Sequence, residues 1–463
     1  MIPLNLTQIA RATGGMLDQA DPLAVVEAPI SFDSREVHAG GLFACLSGRT
    51  MDGHDFAHQA VADGAVAVLA TRPVGVPAVI VPQGVFNALA AIARVIGQRY
   101  NGTVVALTGS AGKTSTKDIL ESVLSLDGPT VANFRSFNNE IGFPVTVSRV
   151  EPDTRYLVLE MGARGKGHIA ELCSVVQPTV ATVLGVGSAH VGEFGSQEAI
   201  ADAKAEIIRT LPAHGVAVLN ADDPRVRGMA PQSPARCMYF GSTPDCDVEA
   251  TDITMGSSGR PAFTLRYERS EATVQLQVHG RHNVTNALAA AATALALGVP
   301  FDRTVQGLRS AQLSSGGRME VTEAAGITII NDAFNASPES VLAALTALHD
   351  IAGTDRRRIV VLGEMAELGT HAEDWHDRVA DHVVATRPAH LFAIGDTHIH
   401  RVITTARGNG IDTTHVKAAE LLDILRGVLR PQDVVLVKGA NALGLEATAR
   451  SLASVEDSRI RPA

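Results

Sequence analysis

The sequence predicts an α/β protein of three domains: a small mixed α/β N-terminal domain (1–100), a central parallel-sheet domain (101–313) and a C-terminal α/β domain (314–463). Three observations carry this. The chain has 463 residues, and domains of roughly 150 residues are usual. Short, continuous apolar runs alternate with stretches of helical spacing, the pattern of strands covered on both faces by helices. Turn signals punctuate the chain at Asn101-Gly102 and in the run Ser314-Ser-Gly-Gly317.

In the first domain, Val66-Ala-Val-Leu-Ala70 and Ala78-Val-Ile-Val81 read as buried strands. Phe86 to Tyr100 places Leu89, Ile92, Ala93 and Ile96 on one helical face. In the second, Val104–Thr108 runs into a Gly-rich turn and a helix from Lys113. Tyr156–Glu160, Val180–Leu184 and Gly215–Asn220 are further buried strands. Between Ala235 and Val278 the segments shorten and alternate, as in Thr273–Val278. That predicts antiparallel strands, at a sheet edge or in a small subsheet of their own. An Ala-rich helix starts at Asn283. The third domain repeats the α/β theme with Ile327–Ile330, Ile359–Leu362, Leu391–Ile394 and Val434–Val437.

Composition narrows the function. Hydrophobic residues make up 46% and charged residues 19%, so wholesale disorder is excluded. With 39 basic and 49 acidic residues the net charge is −10. That argues against nucleic acid as a partner but leaves room for a local cation cluster that holds a small anionic substrate. Cys45, Cys173, Cys237 and Cys246 show no Cys-x-x-Cys spacing, so neither a zinc knuckle nor a redox dithiol is expected. Met1 to Thr7 lacks the basic and apolar regions of a signal peptide. The longest apolar stretch, Ala287–Val299, is too short to span a bilayer. A cytoplasmic protein without a membrane span is expected.

The sharpest motif is Thr108-Gly-Ser-Ala-Gly-Lys-Thr114, between a strand and a helix. Gly109 and Gly112 are expected to permit positive φ and to let backbone N–H groups approach phosphate oxygens. Lys113 would reach the β- and γ-phosphates, the Thr114 hydroxyl would ligate Mg²⁺, and the helix N-terminus adds partial positive charge. Leu107 stands where the longer Gly-x4-Gly-Lys-[Ser/Thr] pattern has its first Gly, so only the shorter form is met. Glu160, at a strand end, is either a second metal ligand or a solvated loop carboxylate. His190, after another strand, is either a ligand or a surface histidine.

The loop followed by Asn138-Asn-Glu-Ile-Gly-Phe-Pro144 resembles the Mur ligase family, ATP-dependent amide-forming enzymes of peptidoglycan precursor synthesis. Glu160-Met-Gly, His190-Val-Gly-Glu-Phe-Gly, Asp202-Ala-Lys-Ala-Glu-Ile, Asn220-Ala-Asp-Asp, Gly280-Arg-His-Asn-Val-Thr-Asn-Ala and Gly317-Arg318 extend the resemblance over most of the chain. It implies a central P-loop ATPase domain and a Rossmann-like C-terminal ligase domain. Ser31-Phe-Asp-Ser-Arg35 and Gly48–Phe56 resemble the family's UDP-sugar-binding domain. Asn331–Ser340 and Val361–Gly369 resemble the branch that adds D-alanyl-D-alanine to UDP-N-acetylmuramoyl-tripeptide through an acyl phosphate. Phe334 stands where Tyr is common and Gly41 where an acidic residue is common. A sister ligase adding a single diamino acid is an alternative, although its usual Asp-Asn-Pro-Arg run is absent. A non-catalytic P-loop regulator is another.

The resemblance implies residue roles. ATP would be held by Thr108, Gly109, Ser110, Ala111, Gly112, Lys113, Thr114 and Ser115, with Asn283, Asn286, Arg318 and Asp332. Two Mg²⁺ ions would be held by Thr114, Glu160, His190 and Lys204, the last as a carbamate. Lys113, Glu160, His190 and Lys204 form the implied catalytic set. From sequence alone Lys204 reads as a solvated helix residue, with Asp202 and Glu206 opposing any fall in its pKa. Asn283 serves equally as a helix N-cap, and Asp332 as a helix cap. Ser34, Arg35, Asn138 and Asn139 would bind the UDP-muramoyl-peptide, with His54 and Asp55 either supporting that site or lying at the surface. Asn335 would meet D-alanyl-D-alanine. For Lys438 packing is as good a reading as function. A hinge is expected at Gly316-Gly317, and a monomer is expected.

Overall fold

The structure is a computed structural model that describes residues 1–48, 51–134, 136–189 and 191–454. Three major sheets appear in chain order. The first holds, in spatial order, Met16–Asp18, Ala78–Ile80, Ala67–Ala70, Leu42–Ala44 and Ile30–Ser31, all parallel except the first pair. A two-stranded ribbon, Leu4–Asn5 with Val25–Val26, stands beside it. Such two-residue strands carry no periodicity, and the sequence reading does not contain them.

The central sheet has nine strands in the order Ser270–Gln275, Pro261–Tyr267, Val248–Met255, Arg236–Gly241, Val216–Asn220, Val180–Val183, Thr103–Thr108, Tyr156–Glu160 and Thr130–Ala132. The last seven of these are parallel. The first two add antiparallel strands to the edge of the same sheet. Arg236–Gly241, taken from sequence as part of the antiparallel region, instead joins the parallel set. Thr103–Thr108 lies between strands reached in opposite directions, so the crevice for ligands opens at its carboxyl end. Register places Glu160 opposite Leu107 and Val183 opposite Thr108, which brings three strand ends to one edge.

The C-terminal sheet runs Glu320–Ala324, Ile327–Asp332, Val434–Lys438, Arg358–Gly363, His390–Ile394 and Thr413–His415. Its first strand is antiparallel and the rest are parallel. Asp332 and Leu362 both stand opposite Lys438.

The joints between these units differ. One continuous apolar cluster runs from Leu4 and Leu89 through Ile96 to Phe143, Leu157 and Val183. It fuses the first unit to one face of the central sheet through helix Val85–Arg99. The other central face packs on helices Lys113–Ser125, His282–Ala296 and Phe301–Ser310. The C-terminal sheet has its own clusters on either face. Among the described residues no buried apolar cluster crosses from the central sheet to the C-terminal one. No helix among them is long and apolar enough to cross a membrane.

Helix Phe301–Ser310 lies close against the helix that begins at Lys113: a Cβ on Gly307 would stand 2.6 Å from Val123 Cα. Helix propensity alone favours Ala over Gly by about 1 kcal/mol, but backbone cannot give way here. Gly307→Ala is therefore expected to lower the thermal unfolding midpoint, with an overpacking cost of about 1–3 kcal/mol. A raised midpoint in calorimetry would show that the helices move apart freely.

Candidate active site between the central and C-terminal domains

Gly112 has φ +79° at the helix N-terminus, and a Cβ there would meet Asn286 Oδ1 at 2.3 Å. Both conformation and space require glycine. Gly109 does not have positive φ, contrary to the sequence reading. It is glycine because a Cβ would stand 2.8 Å from Leu184 Cβ. Lys113 Nζ donates to Gly109 O at 2.8 Å, curling back over the loop it would close on a phosphate.

The Thr114 hydroxyl donates to Glu160 Oε2 at 2.8 Å and lies 3.1 Å from Ser136 Oγ. Asn138 Nδ2 donates to Glu160 Oε1 at 2.6 Å, and the Glu160 backbone N–H donates to Asn133 Oδ1 at 2.5 Å. Glu160 is buried; the reading of a solvated loop carboxylate is wrong, because the parallel register seats it beside the P-loop. Thr114 and Glu160 supply hard oxygen donors of the kind Mg²⁺ prefers. Among the described residues no group of three or more His, Cys, Asp or Glu could hold a metal. This partial donor set fits an ion that takes its remaining ligands from phosphate and water.

Arg318 donates to Ser136 Oγ across the domain joint, and its guanidinium lies 3.7 Å from the centroid of the Phe334 ring. The aromatic face at 334 thus supports the arginine without the hydroxyl of a Tyr. Burial pushes the proton affinities of Lys113 and Arg318 down, and Arg318 lowers Lys113 further. Lys204 is buried on helix Gln197–Arg209. Burial first, and then the charge of Lys113, push it down to about 7. The sequence reading of a solvated lysine opposed by its neighbours is corrected. Asp202 faces Lys166 and Arg209. Glu206 accepts from the N–H groups of Gly167 (2.6 Å) and Ala170 (3.0 Å), at the head of helix His168–Val175.

On the C-terminal side, Asp332 ends its strand. Its Oδ2 pairs with Lys438 Nζ at 2.8 Å and its Oδ1 accepts from Met319 N at 3.1 Å. It caps no helix; Ser337 caps the next one, Pro338–Ala352. Lys438 is buried and also donates to Asp332 O (3.2 Å) and Asn335 O (2.6 Å), which ties that strand end to the loop after it. Asn283 is not the N-cap of helix His282–Ala296; Arg281 is. Asn283 donates to His279 O at 2.7 Å and accepts from Asn286, whose Oδ1 braces Thr116 and the Gly112 turn.

A cavity of ≈ 530 Å³ is lined by the loop from Ser110 to Ser115, Asn138, Glu160, Asn283, Asn286, Arg318, Asp332 and Asn335, among others. Residues predicted separately from two domains therefore meet at one place. The Mur ligase middle-domain model matches residues 107–294, the Mur ligase glutamate ligase domain 317–441, and the Mur ligase family catalytic domain 29–103. The chain is 43% identical to the UDP-N-acetylmuramoyl-tripeptide–D-alanyl-D-alanine ligase of Mycobacterium tuberculosis (strain ATCC 25618 / H37Rv), covering 98% of each. The chain belongs to the Mur ligase family. The corresponding ligase of Escherichia coli (strain K12) is 35% identical over 98% of this chain and 99% of its own. The crystal structure of MurF from Acinetobacter baumannii superimposes with TM-score 0.84 at 30% identity, covering 98% of this chain and 99% of that one. MurF from Thermotoga maritima, in complex with ADP, gives 0.77 at 28% identity over 92% and 97%.

Ser34, Arg35, His54, Asp55 and Asn139 of this Mur ligase do not line the cavity. His190 falls outside the described residues, as do Arg49 and Thr50 of the N-terminal motif. Arg35 is exposed and held by Asp33 (2.6 Å), so a diphosphate would have to displace that carboxylate. Ser34 opens the same short turn. The Asn139 side chain accepts from Ile141 N (3.2 Å) and Gly142 N (3.0 Å) and does not line the cavity. His54 is buried rather than at the surface, bonded to Asp52 (2.6 Å) and to Thr71 N (3.1 Å). Asp55 lies in the same short helical turn, Gly53–Phe56.

The sequence reading missed Asn133, Ser136, Lys117 and Asp118. Asn133 follows strand Thr130–Ala132 at the same sheet edge that singles out Glu160. Lys117 stands one turn beyond Lys113, is buried, and donates to Asn133 O at 2.9 Å. Its neighbour Asp118 accepts from Ser314 Oγ (3.0 Å) and Ser315 N (3.0 Å), tying the interdomain linker to the P-loop helix.

Lys113→Ala is expected to lower turnover by about 10²–10³, the usual loss when a preorganised charge contact to the transition state is removed. Steady-state ADP release at saturating substrates measures it; unchanged turnover would remove Lys113 from the site.

Proposed function

We propose that this Mur ligase joins D-alanyl-D-alanine to UDP-N-acetylmuramoyl-tripeptide with conversion of ATP to ADP and phosphate, completing the pentapeptide precursor of peptidoglycan. The tripeptide carboxylate attacks the γ-phosphorus, ADP leaves, and an acyl phosphate forms. The dipeptide amine then attacks the acyl carbon, phosphate leaves, and the ammonium proton passes to solvent. The observation that carries this reading is the shared cavity. A phosphate loop from one domain and Arg318, Asp332 and Asn335 from another line one volume, as a reaction joining two substrates around a nucleotide requires.

Each residue then has a task. The Ser110–Lys113 turn cradles phosphate, and Lys113 and Arg318 balance charge as one anion approaches another. Asn283 and Asn286 meet the nucleotide base side, and Asp332 the ribose, with Asn335 toward the dipeptide. Thr114 and Glu160, with His190 and a carbamylated Lys204, would hold two Mg²⁺ ions, which when bound neutralise phosphate charge and align in-line attack. Asn138 and Thr114 keep the Glu160 carboxylate aimed at that position. The UDP end of the substrate would lie at Ser34 and Arg35, with Asn138 and Asn139 along the path to the cavity. Phe32 and Phe137 touch there, with centroids 5.7 Å apart, linking that turn to the Asn138 loop. We assign 1–100 to the UDP-muramoyl-peptide domain, 101–313 to the ATP domain and 314–463 to the ligase domain. Gly316-Gly317 is the hinge, between the Asp118 anchor and Arg318. The enzyme acts as a cytoplasmic monomer. The presence of Glu160 and a depressed Lys204 beside the loop speaks against a non-catalytic regulator.

The test is release of phosphate in the presence of ATP, UDP-muramoyl-tripeptide and D-alanyl-D-alanine. Release should need both acceptor and dipeptide, and diaminopimelate or lysine should not replace the dipeptide. Equal release with neither added would end the ligase reading.

Carbamylation needs the neutral amine. A lysine near its ordinary pKa of about 10.4 offers almost none at pH 7, whereas one pushed down to about 7 is near half neutral. Activation by added bicarbonate should therefore rise with pH through about 7. Lys204→Ala should be nearly inactive and partly restored by acetate or formate. Full activity of that variant without added acid would show that no carbamate is needed.

A further inference from the structure

The segment that leaves strand Val180–Val183 first supports the phosphate loop: Ser110 N donates to Gly185 O at 3.0 Å, and Leu184 packs on Gly109. Further along, the C-terminal domain grips it twice. The first grip is at Ser188, which is buried. Its backbone N–H and its hydroxyl both donate to Glu339 Oε1, at 2.7 and 2.8 Å. The other oxygen, Glu339 Oε2, is shut off from solvent without a hydrogen-bond partner. A Cβ on Gly187 would stand 2.8 Å from the Glu339 carboxylate carbon, so glycine is what admits this side chain. The second grip is backbone against backbone. Gly192 N donates to Glu367 O at 3.2 Å. A Cβ on Gly192 would meet Gly369 N at 2.7 Å, and one on Gly369 would meet Gly192 Cα at 2.7 Å.

The two grips lie two residues before and two residues after position 190 in sequence. A carboxylate with one oxygen doubly engaged and the other bare is a poor way to gain stability, because the bare oxygen has lost water for nothing. It is a good way to fix a loop from a separate domain, since both donors belong to one residue of that loop.

We propose that Glu339 is a positioning residue for the ligation. Together with the Gly192–Gly369 contact it fixes Ser188 and Gly192, beyond the Leu184 and Gly185 that support the phosphate loop, so that the central site is competent only when the C-terminal domain, with its share of the second substrate's site, is docked. Glu339 acts through Ser188, not on the reacting atoms. The inference rests on the ligase reading.

The test uses the full chain with all three substrates. Glu339→Ala should lower kcat by about 10²-fold, as small misplacements in a site do, while KM for ATP moves much less. Glu339→Gln keeps an acceptor oxygen for Ser188 and should recover most of that loss. Ser188→Ala removes only one donor and should cost about tenfold, the worth of a hydrogen bond to a charged group. The double variant Glu339→Ala/Ser188→Ala should be no worse than Glu339→Ala alone, because both changes break one link. Gly192→Ala, wedging the second grip, should lower kcat independently. A wild-type kcat for Glu339→Ala overturns the proposal. So does a Gln variant no better than Ala, or multiplicative losses in the double variant. If Glu339→Ala does not fold, Ser188→Ala and Glu339→Gln decide alone: Ser188→Ala at wild-type kcat, or Glu339→Gln as poor as a tenfold-or-greater loss, overturns it. If the wild-type chain itself shows no dipeptide-dependent ADP release, the ligase reading has failed instead.

Discussion

Lys113 and Arg318 line one cavity, Lys204 is buried within reach of the Lys113 charge, and much of the surrounding structure follows from that. Lys113, Lys204 and Arg318 are each pushed toward the neutral form by burial; Arg318 adds to this at Lys113, and Lys113 adds to it at Lys204. This cluster is partly offset by Glu160, whose charge raises the proton affinity of both Lys113 and Arg318. The fold holds it by building each member into a different rigid element. Lys113 opens one helix, Lys204 sits within a second, and Arg318 follows the interdomain linker and rests on Phe334. An arriving polyanion favours the charged forms of all three. Glu160 is the counterweight. Two side chains and a strand end hold it, so that its oxygens do not collapse onto the lysines.

The joints between domains are matched to this chemistry. The N-terminal unit and the central sheet share an apolar core, which would expose hydrocarbon if pulled apart. The central and C-terminal units meet through hydrogen bonds: Arg318 to Ser136, Ser188 to Glu339, Gly192 to Glu367. Water can replace such bonds at little net cost. Closure that excludes water from a reactive acyl phosphate therefore belongs at the second joint, and the first can hold the long substrate in a fixed frame. Asp118 limits the freedom of the second joint by fixing Ser314 and Ser315 to the P-loop helix.

Much of this was legible in the sequence. Continuous apolar runs located four strands of the central sheet and four of the C-terminal sheet nearly to the residue, because buried parallel strands leave a plain signature, whereas Thr130–Ala132, Glu320–Ala324 and Thr413–His415 were not read. The two-residue ribbon at Leu4 and Val25 left none. The phosphate loop and Glu160 were readable from strand ends, but the reason for Gly109 was not, because the Leu184 side chain that excludes a Cβ lies 75 positions along the chain. Lys204 shows the commonest error. Asp202 and Glu206 adjoin it in sequence, but residues two apart on an α-helix stand about 200° apart around the axis. Their carboxylates therefore face other partners, and Lys204 is left with desolvation and a neighbouring cation. The Glu339–Ser188 link joins segments 151 residues apart and has no local signal at all.

A joint made of exchangeable hydrogen bonds raises a problem of precision, because weak contacts between long side chains tolerate many geometries. Here the problem is met by glycine. Gly192 has no positive φ to accommodate; it is glycine because the backbone of Glu367 and Gly369 comes within van der Waals distance of its own. Backbone atoms have fewer ways to sit than a lysine or glutamate head group, so a contact built from them has essentially one arrangement when formed and none when broken. That combination allows a weak joint to be exact: little free energy holds the domains together, but the docked geometry is narrow. A reaction that must bring an anion, a nucleotide and an amine into line within a fraction of an ångström, and then release its products, needs both properties at once.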